Sequence, residues 1–171
     1  MAHKFTLNNE SLKRKFAVYV VVAKGKADTK LYVGKTGDNR DGCNPLISRC
    51  GNHFSYNKIH SQIRNKITGY KNHEYTYLFE HFDDYSKDIK KQRKAIDKIN
   101  EMERWLNWSV QAAIKGRLNC KLLNPYQGKG FISAAENQRR QEFRTKKNEQ
   151  KIIAIVKAML SEIRGSGNKR R

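Results

Sequence analysis

The sequence predicts an α/β chain of the α+β kind: a small central, mainly antiparallel three-stranded sheet flanked by helices, with an extra helix towards the C-terminus. Three observations predict it. Two short runs rich in β-branched and aromatic residues, FAVYVVVA and LYVGKT, stand on either side of a turn-rich GKADTK, the pattern of an antiparallel hairpin. A third run of the same character, YTYLFEHF, follows at 75–82. Between and after these strands, apolar residues recur at helical spacing.

Each element follows from its residues. Positions 1–15 are polar and basic and read as a loosely held arm, and the hairpin strands fall at 16–23 and 30–34. The loop TGDNRDGCNP closes on Asn44-Pro45, an asparagine in N-cap position before a proline at the first helical position, which opens a helix. Leu46, Ile47, Cys50 and Phe54 form its apolar stripe, and Gly51 keeps it short. A second helical piece carries Ile59, Ile63 and Ile67 at i, i+4 and i+8 and ends at Gly69.

After the third strand, Ser86 is placed to cap a long helix over 87–115. Beyond Gly116 the segment LNCKLLNPYQGKG is turn-like with room for one brief strand. Ser133 then opens a final helix to position 164, charged in its first half. Its second half has an apolar face of Ile152, Ile153, Ile155, Val156, Met159, Leu160 and Ile163. The division is therefore an arm (1–15), a main domain (16–132), a helical extension (133–164) and a basic tail, GSGNKRR, expected to be disordered.

Composition narrows the function. At 171 residues the chain is one domain with a real core. The start lacks the apolar middle of a secretory signal, and no apolar run is long enough to span a bilayer, so the expectation is cytoplasmic and without a membrane partner. Three cysteines without a CxxC pair fit neither a disulfide framework nor a zinc site. Thirty-six Lys and Arg against sixteen acids leave a formal charge of +20. Such an excess points to a polyanion, nucleic acid above all.

Four places carry candidate chemistry. Tyr19 and Tyr32 sit mid-strand in the hairpin, where pairing brings both rings to one face. Either alone reads first as packing, but Tyr32 is followed by Gly34, Lys35 and Thr36. The glycine permits close backbone approach, and the lysine places a cation near a phenol, favouring its ionised form. Such a phenol is a candidate base for activating water. Arg49 and His53, at i and i+4, share one helix face. Alone they read as a solvated surface pair; together with the tyrosines they offer a phosphate clamp and a proton carrier.

Glu103 is the fourth. Ile96, Ile99, Leu106, Val110 and Ile114 mark a core-facing row on the long helix, and position 103 falls within it. A carboxylate there binds a metal or an internal cation. Glu101 points to another face with Trp105 and Trp108.

Taken as a set, these residues resemble the GIY-YIG nuclease superfamily, over roughly 16–124. Tyr19 corresponds to the tyrosine of the first half-motif, here Ala17-Val18-Tyr19, and Tyr32 to that of the second, here Tyr-Val-Gly ending on Gly34. Lys35 corresponds to a lysine frequent at that place, Arg49 to the phosphate-contacting arginine, His53 to a histidine one turn later, and Glu103 to the metal-binding glutamate. Either Asn119 or Asn124 corresponds to the family asparagine. The loop between Gly34 and Arg49 is long for the family.

The resemblance implies a GIY-YIG nuclease-like fold and an endonuclease that hydrolyses double-stranded DNA with one Mg2+ (or Mn2+) ion per active site. In that mechanism Tyr19, helped by Tyr32 or Lys35, activates water, Arg49 stabilises the phosphate charge, and Glu103 holds the metal. The product is a 5′-phosphate. Gly34, Lys35, Arg49 and the asparagine are expected to contact the nucleic acid. The layout resembles stand-alone restriction-type or phage and defence-type enzymes. Cleavage of both strands would favour a homodimer, with the 152–163 stripe as its interface or as packing on the chain's own core. The competing readings are a non-catalytic basic nucleic-acid-binding protein and a nuclease acting on RNA.

Overall fold

A computed structural model describes residues 2, 4–37, 43–128 and 133–165. The basic tail beyond 165, part of the loop before Asn44-Pro45 and the end of the GKG turn lie outside them. The fold is α/β, with four strands in the order β3-β1-β2-β4, helices on both faces, and one strand more than the sequence predicts. β1 (Lys15–Lys24) and β2 (Thr29–Lys35) form the expected hairpin, and β3 (Glu74–Asp84) pairs antiparallel on the other side of β1. The fourth strand, β4 (Cys120–Leu122), joins β2 in parallel, making the sheet mixed. Three residues show no alternation, so β4 is invisible to periodicity. Beyond it, the Asn124 amide extends the ladder: Val33 N–H donates to its Oδ1 (3.1 Å) and its Nδ2 donates to Val33 O (2.7 Å).

β1 is central and buried along nearly its whole length, which explains its continuous apolar run rather than an alternation. Phe16, Val18, Val20 and Val22 face α3 (Ile89–Ile114) and α5 (Lys146–Arg164) in the main core. Tyr19, Val21 and Ala23 face the opposite way, against Leu46 of α1 (Leu46–Phe54) and Ile63 of α2 (Gln62–Lys66). The sheet thus separates a larger apolar core from a smaller, tyrosine-rich one.

Several boundaries differ from the expectation. The predicted final helix is two: α4 (Ala134–Glu142), capped by Ser133 as expected, and α5, which Thr145 starts afresh by accepting from Asn148 N–H. Buried Phe143 sits at the break. Asp88 rather than Ser86 caps α3, accepting from Lys90 and Lys91 N–H. Pro45 stands at the N-cap of α1 in place of Asn44. The 59–67 stripe is not one helix face: α2 has five residues, Ile63 and Ile67 are buried, and Ile59 is exposed. Gly69, at φ +67°, follows in the left-handed region, as a terminating glycine does.

Two further points bear on assembly. Ile152, Ile155 and Met159 of α5 lie in the same core cluster as β1 and α3, so most of the late stripe is covered by the chain itself. The arm is tied down at its end, where Arg14 Nε donates to Cys43 O (3.1 Å) and the guanidinium lies 3.7 Å above the Tyr85 ring. No helix among the described residues is long and apolar enough to cross a membrane.

Candidate active site

The cleft that concerns function opens at the end of the hairpin away from its turn. Its volume is about 160 Å³, and it is lined by Tyr19, Tyr32, Gly34, Lys35, Arg49, His53 and Glu103, together with Ile59, His60 and Gln62. All six side chains singled out for catalysis therefore meet in one place, drawn from β1, β2, α1 and α3. Antiparallel register does the first part of this. Gly34 pairs with Tyr19 and Tyr32 with Val21, so Tyr19 and Tyr32 project from the same face of the sheet.

The middle of the cleft is a hydrogen-bonded chain. Tyr19 Oη lies 3.1 Å from His53 Nε2, and His53 Nδ1 lies 2.9 Å from Tyr77 Oη. The Tyr77 hydroxyl also meets the Cys50 thiol. The Tyr32 ring stands edge-on to His53, with centroids 5.1 Å apart. Tyr19 and His53 are only 2% and 3% exposed, so helix α1 buries its histidine face against the sheet instead of presenting it to solvent. Tyr77 was missed from sequence. It is one of four aromatics in YTYLFEHF, and only its register opposite Val21 puts it on the face of Tyr19.

Burial sets the protonation states. It holds the Tyr19 phenol well above its ordinary value, with a contribution from neighbouring Tyr32; the opposing pull of the Arg49 charge is smaller. At Tyr19, then, desolvation outweighs the Arg49 charge. Tyr77 is raised as well, again through burial. Burial, assisted by the Arg49 charge, pushes His53 down to about 4, so near neutrality the ring is uncharged, with one nitrogen free to accept.

At the other wall, Lys35 Nζ and Glu103 Oε2 stand 2.6 Å apart, with side chains 17% and 28% exposed. Glu103 is thus at the rim of the core row, not in its middle; Met102 takes the buried place. The fully buried carboxylate is Glu101, at 1% exposure. It is held by Arg104 (3.0 Å) and Arg144 (2.7 Å), whose guanidinium also lies over Trp105 and Trp108. The internal ion pair weighed for position 103 with an arginine exists at 101, while 103 pairs with a lysine at the cleft.

Asn124 and Asn119 separate clearly. Asn124 clamps β2 and borders a second hollow behind Lys35 and Glu103. Asn107 Nδ2 of α3 donates to its carbonyl at 2.8 Å. Asn119 lies at the hairpin-turn end, where its carbonyl accepts from Thr29 N–H (2.8 Å).

Glu103 is, among the described residues, the one acidic side chain that lines the cleft. Among the described residues no group of three or more His, Cys, Asp or Glu could hold a metal ion. A hard cation such as Mg2+ would have Glu103 as its one described protein ligand here and would need waters and a substrate phosphate to complete its shell. Compared with protein-family models, curated proteins and solved structures, the chain has no match.

Proposed function

We propose that this protein is a divalent-metal-dependent DNA endonuclease of the GIY-YIG type, acting as a restriction-type or phage and defence-type enzyme. The observation that carries this reading is the convergence of Tyr19, Tyr32, Lys35, Arg49, His53 and Glu103 on one cleft, in a chain of charge +20.

The chemistry follows from the hydrogen-bonded chain. A neutral, buried Tyr19 is a poor base by itself, but it is 3.1 Å from an uncharged imidazole. As water attacks the phosphorus of a seated phosphodiester, the Tyr19 oxygen takes the proton of water and passes its own to His53 Nε2. The resulting imidazolium donates its Nδ1–H to Tyr77 Oη, which is already 2.9 Å away. The P–O3′ bond breaks, leaving a 5′-phosphate and a 3′ oxygen that takes its proton from solvent to become the 3′-hydroxyl. Arg49 supplies a fixed positive charge for the phosphate oxygens. Phosphate beside Arg49 also offsets the charge that helps depress His53, making the ring a better proton acceptor when substrate is present.

Glu103 would hold a Mg2+ or Mn2+ ion, with Lys35 keeping the carboxylate in place. Such an ion, when bound, supplies positive charge to the leaving 3′ oxygen.

The test is incubation with supercoiled plasmid, with magnesium or with a chelator, read on a gel. Nicked and linear products with magnesium alone are the expected result, and Tyr19→Phe slows them by about 10²–10⁴-fold. Binding without any cut would return the chain to the class of non-catalytic nucleic-acid binders. Cleavage of RNA with DNA left intact would reassign the substrate.

A further inference from the structure

The loop between α1 and α2 presents two large apolar side chains to solvent at the lip of the cleft. Ile59 is 74% exposed and Tyr56 78%, and Ile59 lines the cleft itself beside Tyr19, Lys35 and Glu103. An aliphatic side chain does nothing for a phosphate or a metal. Nor is this loop slack. Asn57 Oδ1 accepts from the backbone N–H of Ile59 (2.8 Å) and His60 (3.2 Å). Gln62 Nε2 donates to Ile59 O (2.9 Å) and Asn65 Nδ2 to Lys58 O (2.7 Å). The buried Ser61 hydroxyl bonds to the carbonyls of Ser55 and Asn57. The Tyr56 hydroxyl is hydrogen-bonded to that of Tyr70, and the Arg64 guanidinium sits 4.8 Å from the Tyr56 ring centroid.

Two exposed apolar groups are thus fixed in position before anything binds, so binding loses little entropy in ordering them. The segment that carries them is charged with one sign only. Residues 43–73 carry Arg49, Lys58, Arg64, Lys66 and Lys71 and no Asp or Glu. This is the surface of a partner that is anionic and yet has apolar faces within reach of the anion. Nucleic acid is such a partner: its bases and sugars are its apolar surface, and each lies next to a phosphate.

We propose that the loop over 55–61 is a wedge for duplex DNA. With a phosphodiester in the cleft, Ile59 presses into the adjoining base step and opens its stacking, and the Tyr56 ring packs against the nucleotide beyond. Apolar wedges of this size partly unstack and kink a duplex at the point of insertion. The proposal rests on the nuclease reading for the place of the phosphate, and it adds an element that deforms the substrate beside the bond to be cut.

The test uses the Glu103→Gln protein in the presence of a chelator, so that binding is read without cutting, and a set of duplexes of one sequence carrying 2-aminopurine at successive positions. Binding is expected to brighten one step several-fold. Ile59→Ala in the same background removes the brightening while affinity stays within about tenfold, and Ile59→Leu keeps most of it. Because Ile59 is exposed, the melting temperature of these variants should match that of the parent. No brightening at any position, or brightening that survives Ile59→Ala, overturns the proposal. The two readings fail separately: brightening by a protein whose wild type never cuts plasmid would sink the nuclease and leave the wedge. Cutting without brightening would do the reverse.

Discussion

Gly34 lies directly opposite Tyr19 in the β1–β2 ladder, and a Cβ placed at Gly34 would stand 2.5 Å from both the Cζ and the hydroxyl oxygen of Tyr19. The glycine is therefore the floor on which the phenol ring rests, and its value is the missing side chain. Gly34→Ala must push the ring away from His53 or bend β2. We expect a stability loss of about 1–3 kcal/mol from overpacking, and a far larger loss of cleavage than the fold alone would explain. Thermal melting and single-turnover cleavage on one preparation check this. An active Gly34→Ala enzyme would show that the position of Tyr19 does not matter.

His53 ties stability to pH. Its folded-state value of about 4 lies below the ordinary 6.5. Above pH 6.5 the ring is neutral in both states and its contribution is fully present. As pH falls from 6.5 towards 4, the unfolded chain binds a proton that the folded chain refuses, and stability is lost. The full difference is about 3 kcal/mol, as an order of magnitude. The His53→Gln protein should lack this slope, so denaturant midpoints of the two proteins, compared across that window, should converge at low pH. Parallel curves would mean that His53 does not titrate differently on folding.

In the proposed reaction Tyr77 acts from one residue away, through His53. Tyr77→Phe removes the oxygen that faces His53 Nδ1 and leaves a buried ring nitrogen without that partner, a loss of about 1–3 kcal/mol. Its ring packing against Tyr19 and His53 remains. If Tyr77 only positions His53, kcat should fall about tenfold with KM unchanged, since nothing that touches substrate has moved. A rise in KM with constant kcat would instead place Tyr77 in substrate binding.

What sequence could reveal here was pattern in single elements, and what it hid was contact between them. The hairpin was legible because β-branched runs on both sides of a turn leave few alternatives, and with it came the shared face of Tyr19 and Tyr32. The Arg49–His53 pair was legible as one helix face, but not that the face is buried, because Tyr77 supplies its cover from 24 residues away. Ile59 followed the spacing of Ile63 and Ile67, yet the backbone turns at Ser61, whose hydroxyl is bound to Ser55 and Asn57 carbonyls. Helical periodicity cannot register a turn made by side-chain hydrogen bonds. The break before α5 was hidden likewise, since Thr145 caps as well as it continues a charged helix.

The two glutamates of α3 provide the sharpest contrast. Glu101 is 1% exposed and held by two arginines; Glu103 is 28% exposed by side chain and held by Lys35 at the cleft. The sequence reading placed the core carboxylate at 103, because a helical wheel cannot tell a buried row from its rim. Their glutamine variants should therefore behave in opposite ways. Glu101→Gln removes the charge of a carboxylate that is 1% exposed and held by two guanidinium groups, and should lose about 3–5 kcal/mol, with α4 and α5 loosened because Arg144, between them, is one of their ties to α3. Below its melting point that protein should still cut plasmid. Glu103→Gln changes a carboxylate that is already 28% exposed, so its melting temperature should move far less. DNA affinity should hold or improve with one negative charge gone from the proposed phosphate site. Cleavage should collapse, since a neutral amide is a poor ligand for a hard cation. Melting, DNA affinity and cleavage measured on both variants separate the roles. A Glu103→Gln protein that still cuts at the wild-type rate would remove that carboxylate from the chemistry and leave its bond to Lys35 as a structural pair.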